Sequence, residues 1–178
     1  MLGATSTGSI WTLCSPDFGP QAVADRFLQA KHKVLFVVNG HVSKGTVISM
    51  VDKVEELAEF LPVLEKIVVL ELSQGEEKPE WTSDKVKDLM VTCDDFLSSA
   101  NQEEGSAPKP EHTPAPFVHP QFVLCSSDTD GMPKSIAHGA GNTLLQHAIH
   151  CCRSDSPNCK PLGWDWISAL WIVTRARQ

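Results

Sequence analysis

The chain has 178 residues, 42% of them hydrophobic, and a formal net charge of −7. That length suffices for one domain with a sizeable core, and the acidic balance argues against nucleic acid or an anionic membrane surface as partner. No apolar run approaches the roughly 18 residues that a spanning helix needs, and the first charged residue is Asp17, so the start lacks the basic stretch of a signal peptide. A cytoplasmic, reducing setting is the expectation, with the six cysteines as thiols rather than bridges.

In chain order, Trp11 to Gly19 reads as a loop ending in Ser15-Pro16-Asp17-Phe18-Gly19. From Pro20 a helix is predicted, with Ala22, Val23, Phe27 and Leu28 on one face and the proline tolerated in its first turn. Val34-Leu35-Phe36-Val37-Val38 is fully apolar and rich in β-branched residues, which predicts a strand covered on both faces; Asn39-Gly40 closes it. Ser49 is the predicted N-cap of the next helix, whose stripe is Val51, Val54, Leu57, Ala58, Leu61 and Leu64, and Pro62 should kink it or end it early. Ile67-Val68-Val69-Leu70 is a second buried strand. Strand, helix, strand over these lengths is a βαβ unit, hence a parallel sheet with helices on its faces.

Asp84 to Leu97 reads as one short helix. Ser98 to Pro120, with Pro108, Pro110, Pro114, Pro116 and Pro120, reads as a flexible, extended linker. A strand at Phe122–Cys125, a polar loop and a short strand at Ser135–His138 follow. Next comes a helix from about Asn142 to Cys152, with Leu144, Leu145, Ala148 and Ile149 inward. Residues 153–178 hold Pro157, Pro161 and three tryptophans without a clean period, and nothing in them gives a placement. The fold class is therefore α/β, a partial parallel or mixed sheet flanked by helices, spanning 11–152 with the linker 98–120 inside it and the tail 153–178 apart.

The most informative stretch is Ser126-Ser127-Asp128-Thr129-Asp130-Gly131-Met132-Pro133-Lys134, directly after an apolar strand. Hydroxyls and backbone N–H groups donate to phosphate oxygens, glycine lets the backbone approach, and a lysine supplies charge. Asp128 and Asp130 run against that chemistry by placing two carboxylates in the same loop.

His147, His150, Cys151, Cys152 and Cys159 invite a metal reading, but zinc sites prefer two close pairs separated by a loop, and adjacent cysteines rarely both bind one ion. No metal site is assigned. Cys14 and Cys125 have no evident basic activator and read as packing thiols. His138 reads as a polar edge residue.

The loop resembles the phosphate-binding signature of the adenylate-forming enzymes, through Ser126, Ser127, Thr129, Gly131, Pro133 and Lys134. Separated blocks narrow the resemblance to the acetoacetyl-CoA synthetases, a subfamily of the acyl-CoA synthetases. These are Trp11-x-x-Cys-Ser-Pro-Asp-Phe-Gly19, Asp25-Arg26-Phe27, Asp94-Asp95-Phe96-Leu97, Phe117-x-His-Pro120 and the run Ser135 to His147, all in that family's order. The resemblance implies an AMP-binding ligase of two steps. ATP with Mg²⁺ adenylates a short carboxylic acid such as acetoacetate, and CoA then displaces AMP. By the family's pattern Ser126, Ser127, Thr129 and Gly131 line the triphosphate, and Lys134 closes the loop over it.

The chain departs from that pattern where the family has glycine at the position of Asp128 and threonine at that of Asp130. The family's adenine- and ribose-binding motifs and its small carboxy-terminal domain are not matched. The expectation is an internal part of such an enzyme, inactive alone. Two other classes stand beside it: a non-catalytic protein-interaction module with exposed apolar edges, and a minimal nucleotide-binding protein.

Overall fold

The computed structural model describes residues 1–43, 46–71, 80–99, 111–125, 133–153 and 171–175. Its strands are β1 (Ile10–Cys14), β2 (Val34–Val38), β3 (Gly40–Ser43), β4 (Thr46–Ser49), β5 (Lys66–Leu70), β6 (Met90–Thr92), β7 (Pro120–Cys125), β8 (Ser135–Gly139) and β9 (Trp171–Arg175). Its helices are α1 (Leu2–Ser6), α2 (Pro20–Ala30), α3 (Val51–Phe60), α4 (Asp84–Leu89), α5 (Cys93–Ser98) and α6 (Ala140–Arg153).

Seven strands form one mixed sheet in the order β6-β5-β2-β9-β1-β7-β8, and β3 and β4 form a separate hairpin. The predicted βαβ unit is β2-α3-β5, parallel with Leu35 opposite Ile67 and Val37 opposite Val69. A second crossover through α4 sets β6 parallel to β5. The sequence reading does not include the hairpin, which is inserted between β2 and α3; Met50 N–H then returns to the Asn39 carbonyl at 2.9 Å.

Helices α2 and α3 pack together, and α4 packs beside α3. Val23, Ala24 and Phe27 of α2 meet Val54, Leu57 and Ala58 of α3 over Leu35, Val37, Ile67 and Val69 of the sheet, all of them buried. Each large side chain removed from water here contributes about 1.5–3 kcal/mol. Pro20 opens α2, and Lys31, at φ 48°, ends it with its N–H on the Leu28 carbonyl. The N-cap of α3 is Met50, one residue after the predicted Ser49, whose Oγ still accepts from Val51 N–H at 3.3 Å. The helix stops at Phe60, because Pro62 pushes Leu61 out of helical geometry.

Three expectations are corrected. Trp11 to Cys14 is part of strand β1 rather than loop, because β7 and β9 flank it in the sheet interior, where no polar alternation marks a strand. Asp84 to Leu97 is two helices with β6 between them. Met90-Val91-Thr92 adds an edge to β5, and Thr92 Oγ1 caps a new helix by accepting from Asp95 N–H at 3.1 Å. Leu144 and Leu145 of α6 point outward, 68% and 54% exposed, and Ala148 is exposed as well. Helix α6 follows β8, the last strand of the sheet, and the side chain of Ile149, the fourth residue expected inward, lies outside the described residues.

Within the proline-rich stretch, 111–119 has neither helix nor strand; its Thr113 N–H donates to the Ser6 carbonyl at 2.9 Å. Part of the stretch without a predicted placement is β9. It inserts antiparallel between β1 and β2, with Val173 in register with Thr12 on one side and Leu35 on the other. No helix among the described residues is long and apolar enough to cross a membrane.

Candidate phosphate-binding site

Strands β7 and β8 are antiparallel, with Leu124 opposite Ile136 and Cys125 opposite Ser135. They form the neck of the loop that carries the phosphate-type motif. Phe122 and His138 stack across the same pair with centroids 4.9 Å apart. Strand β1 holds β7 from the other side, in parallel register through Trp11–Phe122 and Thr12–Val123, and Thr12 Oγ1 donates to the Val123 carbonyl. The neck is thus anchored through β7 to the interior strand β1, while β8 is the edge of the sheet.

Ser126, Ser127, Asp128, Thr129, Asp130, Gly131 and Met132 lie outside the described residues. Of the predicted site residues Lys134 is described, exposed at the foot of β8 between Pro133 and Ser135. A residue that the sequence reading missed meets both neighbours. Gln29, near the end of α2, donates from Nε2 to the Pro133 carbonyl at 2.9 Å and accepts at Oε1 from Ser135 Oγ at 2.8 Å. Its one sequence signal is its place four residues after Asp25, in the Asp25-Arg26-Phe27 block.

Cys14 ends β1 and is buried. Burial pushes its thiol from the usual 9.0 up to about 11; the Arg26 charge pulls it back in part, and neighbouring Cys125 adds to the rise. That is the opposite of an activated nucleophile. Cys125 is half-buried, with Sγ 3.7 Å from Ser135 Oγ. Among the described residues no group of three His, Cys, Asp or Glu side chains is placed to hold a metal ion. Of the histidine–cysteine cluster considered above, Cys159 and the side chains of His147, His150, Cys151 and Cys152 lie outside the described residues.

The chain is similar to known proteins over most of its length. Acetoacetyl-CoA synthetase of Macaca fascicularis is 41% identical over 147 residues, 83% of this chain and 21% of that protein. The Gallus gallus enzyme is 38% identical over 179 residues, 98% of this chain and 26% of its own length. The chain is homologous to the acetoacetyl-CoA synthetases. It spans about a fifth to a quarter of the length of these relatives. The malonamoyl-CoA synthetase of Penicillium aethiopicum is 32% identical over 177 residues. Acetoacetyl-CoA synthetase from Streptomyces lividans superposes with a TM-score of 0.63 at 32% identity, over 78% of this chain and 20% of that one. No family model matches the chain.

Proposed function

We propose that this chain carries the triphosphate-binding part of an acetoacetyl-CoA synthetase-type ligase and is inactive by itself. In the reaction of such a ligase, the carboxylate of a short acid attacks the α-phosphate of Mg-ATP, giving an acyl adenylate and pyrophosphate. The CoA thiol then displaces AMP to form the thioester. Relatives named for acetoacetyl and malonamoyl groups support a short acid. In this reading Ser126, Ser127 and Thr129 offer hydroxyl donors, Gly131 lets the backbone approach, and Lys134 supplies the cation. A cytoplasmic setting goes with that small-molecule chemistry.

The observation that carries the reading is the β7–β8 neck, which sets Lys134 at the end of a motif of hydroxyls and glycine. Asp128 and Asp130 turn the loop's charge from +1, given by Lys134 alone, to −1. A carboxylate about 4 Å from a phosphate oxygen costs about 1 kcal/mol in water and about 4 near a protein surface. Two of them remove much of the ~8 kcal/mol of a micromolar complex. A pyrophosphate-release assay with ATP, CoA and acetoacetate tests the reading; turnover by the unmodified chain would overturn its inactive part.

A second reading, a protein-interaction module, draws support from exposed apolar side chains, Leu124 and Ile136 on the β7–β8 pair and Leu144 and Leu145 on α6.

A further inference from the structure

Gln29 uses its whole side-chain amide. Nε2 donates to the Pro133 carbonyl at 2.9 Å and, one helical turn back, to the Asp25 carbonyl at 3.0 Å, while Oε1 accepts from Ser135 Oγ at 2.8 Å. Pro133 and Ser135 are the two residues that bracket Lys134. A single side chain, more than a hundred positions away in sequence, therefore pins the backbone on one side of the loop lysine and the hydroxyl on the other. Ser135 Oγ lies 3.7 Å from Cys125 Sγ, so the same network reaches the opposite leg of the neck.

We propose that Gln29 is a positioning residue for Lys134, fixing the backbone on either side of it from which the lysine reaches the triphosphate. The assignment rests on the phosphate reading above. The amide donates to the carbonyl and accepts from the hydroxyl at the same time, which neither an ionised carboxylate nor an apolar side chain can do. Glutamate would keep the Ser135 bond, lose the Pro133 bond and add a third carboxylate near a loop that already holds two. A lysine whose backbone is already held in place loses less freedom when the ligand arrives. Neutral glutamine meets every one of these demands.

The test has two arms. Trypsin cleaves after Lys134, so its rate at the Lys134–Ser135 bond in the native chain reads how often the neck opens. Gln29→Leu should raise that rate about 3- to 10-fold, the range expected for hydrogen bonds at a surface, and leave cleavage after Lys85 and Lys87 unchanged. Gln29→Glu should fall between Gln29→Leu and the unmodified chain. The second arm uses the Asp128→Gly/Asp130→Thr chain and calorimetry with Mg-ATP, where Gln29→Leu should weaken binding by a similar factor. Unchanged cleavage in Gln29→Leu would overturn the tie. Faster cleavage with unchanged Mg-ATP affinity would overturn the positioning role alone. No Mg-ATP binding by the Asp128→Gly/Asp130→Thr chain would overturn the phosphate reading and this role with it, whatever the cleavage rates.

Discussion

Leu124 and Ile136 stand opposite each other across β7 and β8, and they remain 40% and 51% exposed. The face of the hairpin that they share is apolar yet open. Ile136→Thr should therefore change stability by less than about 0.5 kcal/mol, as most exposed substitutions do. It should also reduce the binding of a hydrophobic dye. Urea unfolding alongside dye fluorescence checks both; a loss above about 2 kcal/mol would mean that the face is covered.

The opposite behaviour is expected at Phe27, which is fully buried between α2, α3 and the sheet. Phe27→Ala should cost about 3–5 kcal/mol, through lost burial and the cavity left behind. Urea midpoints at pH 7 measure it.

Cys14 gives a pH signature. Its thiol titrates at about 11 when folded and near 9.0 when unfolded, so between those values the unfolded chain has released a proton that the folded chain keeps. Unfolding then gains with rising pH, and the Cys14 contribution to stability falls across pH 9 to about 11. Cys14→Ala should flatten that part of the curve. At pH 8, iodoacetamide should modify the half-buried Cys93 and Cys125 well before Cys14.

Glu55 behaves in the reverse sense. Burial opposes its ionisation, but hydrogen bonds from Thr82 Oγ1, Ser83 N–H and Thr82 N–H outweigh it and hold the carboxyl below its ordinary value of 4.5. This contribution is present above pH 4.5 and is lost as the pH falls through the lowered value. Glu55→Ala should lower the urea midpoint at pH 7 and weaken the acid dependence. The start of α4 is what it unties.

The sequence made the interior legible where burial is two-sided and continuous. Val34–Val38 and Ile67–Leu70 could only be covered strands, and the stripe from Val51 to Leu61 only a helix. β1 was hidden because Trp11-Thr12-Leu13-Cys14 is short and leads into a proline-bearing turn, and pairing with β7 and β9 makes it a strand. β6 was hidden because three residues beside β5 gain more from sheet pairing than from continuing a helix. Leu144 and Leu145 have helical spacing, but periodicity reports a face and not what lies against it. At the candidate site, Ser126, Ser127, Thr129 and Gly131 lie outside the described residues, so for them only the order of residue types speaks. Gln29 was not legible, because its partners Pro133 and Ser135 are brought near only by the fold.

On the function proposed above, residues 126–134 bind triphosphate and Asp128 and Asp130 weaken that binding. Calorimetric titration of Mg-ATP into the chain and into its Asp128→Gly/Asp130→Thr form tests this most directly. No heat above dilution is expected for the first and measurable binding for the second. That difference follows from the two-charge change, worth about 1–4 kcal/mol for each carboxylate. Equal affinity in the two forms would contradict it.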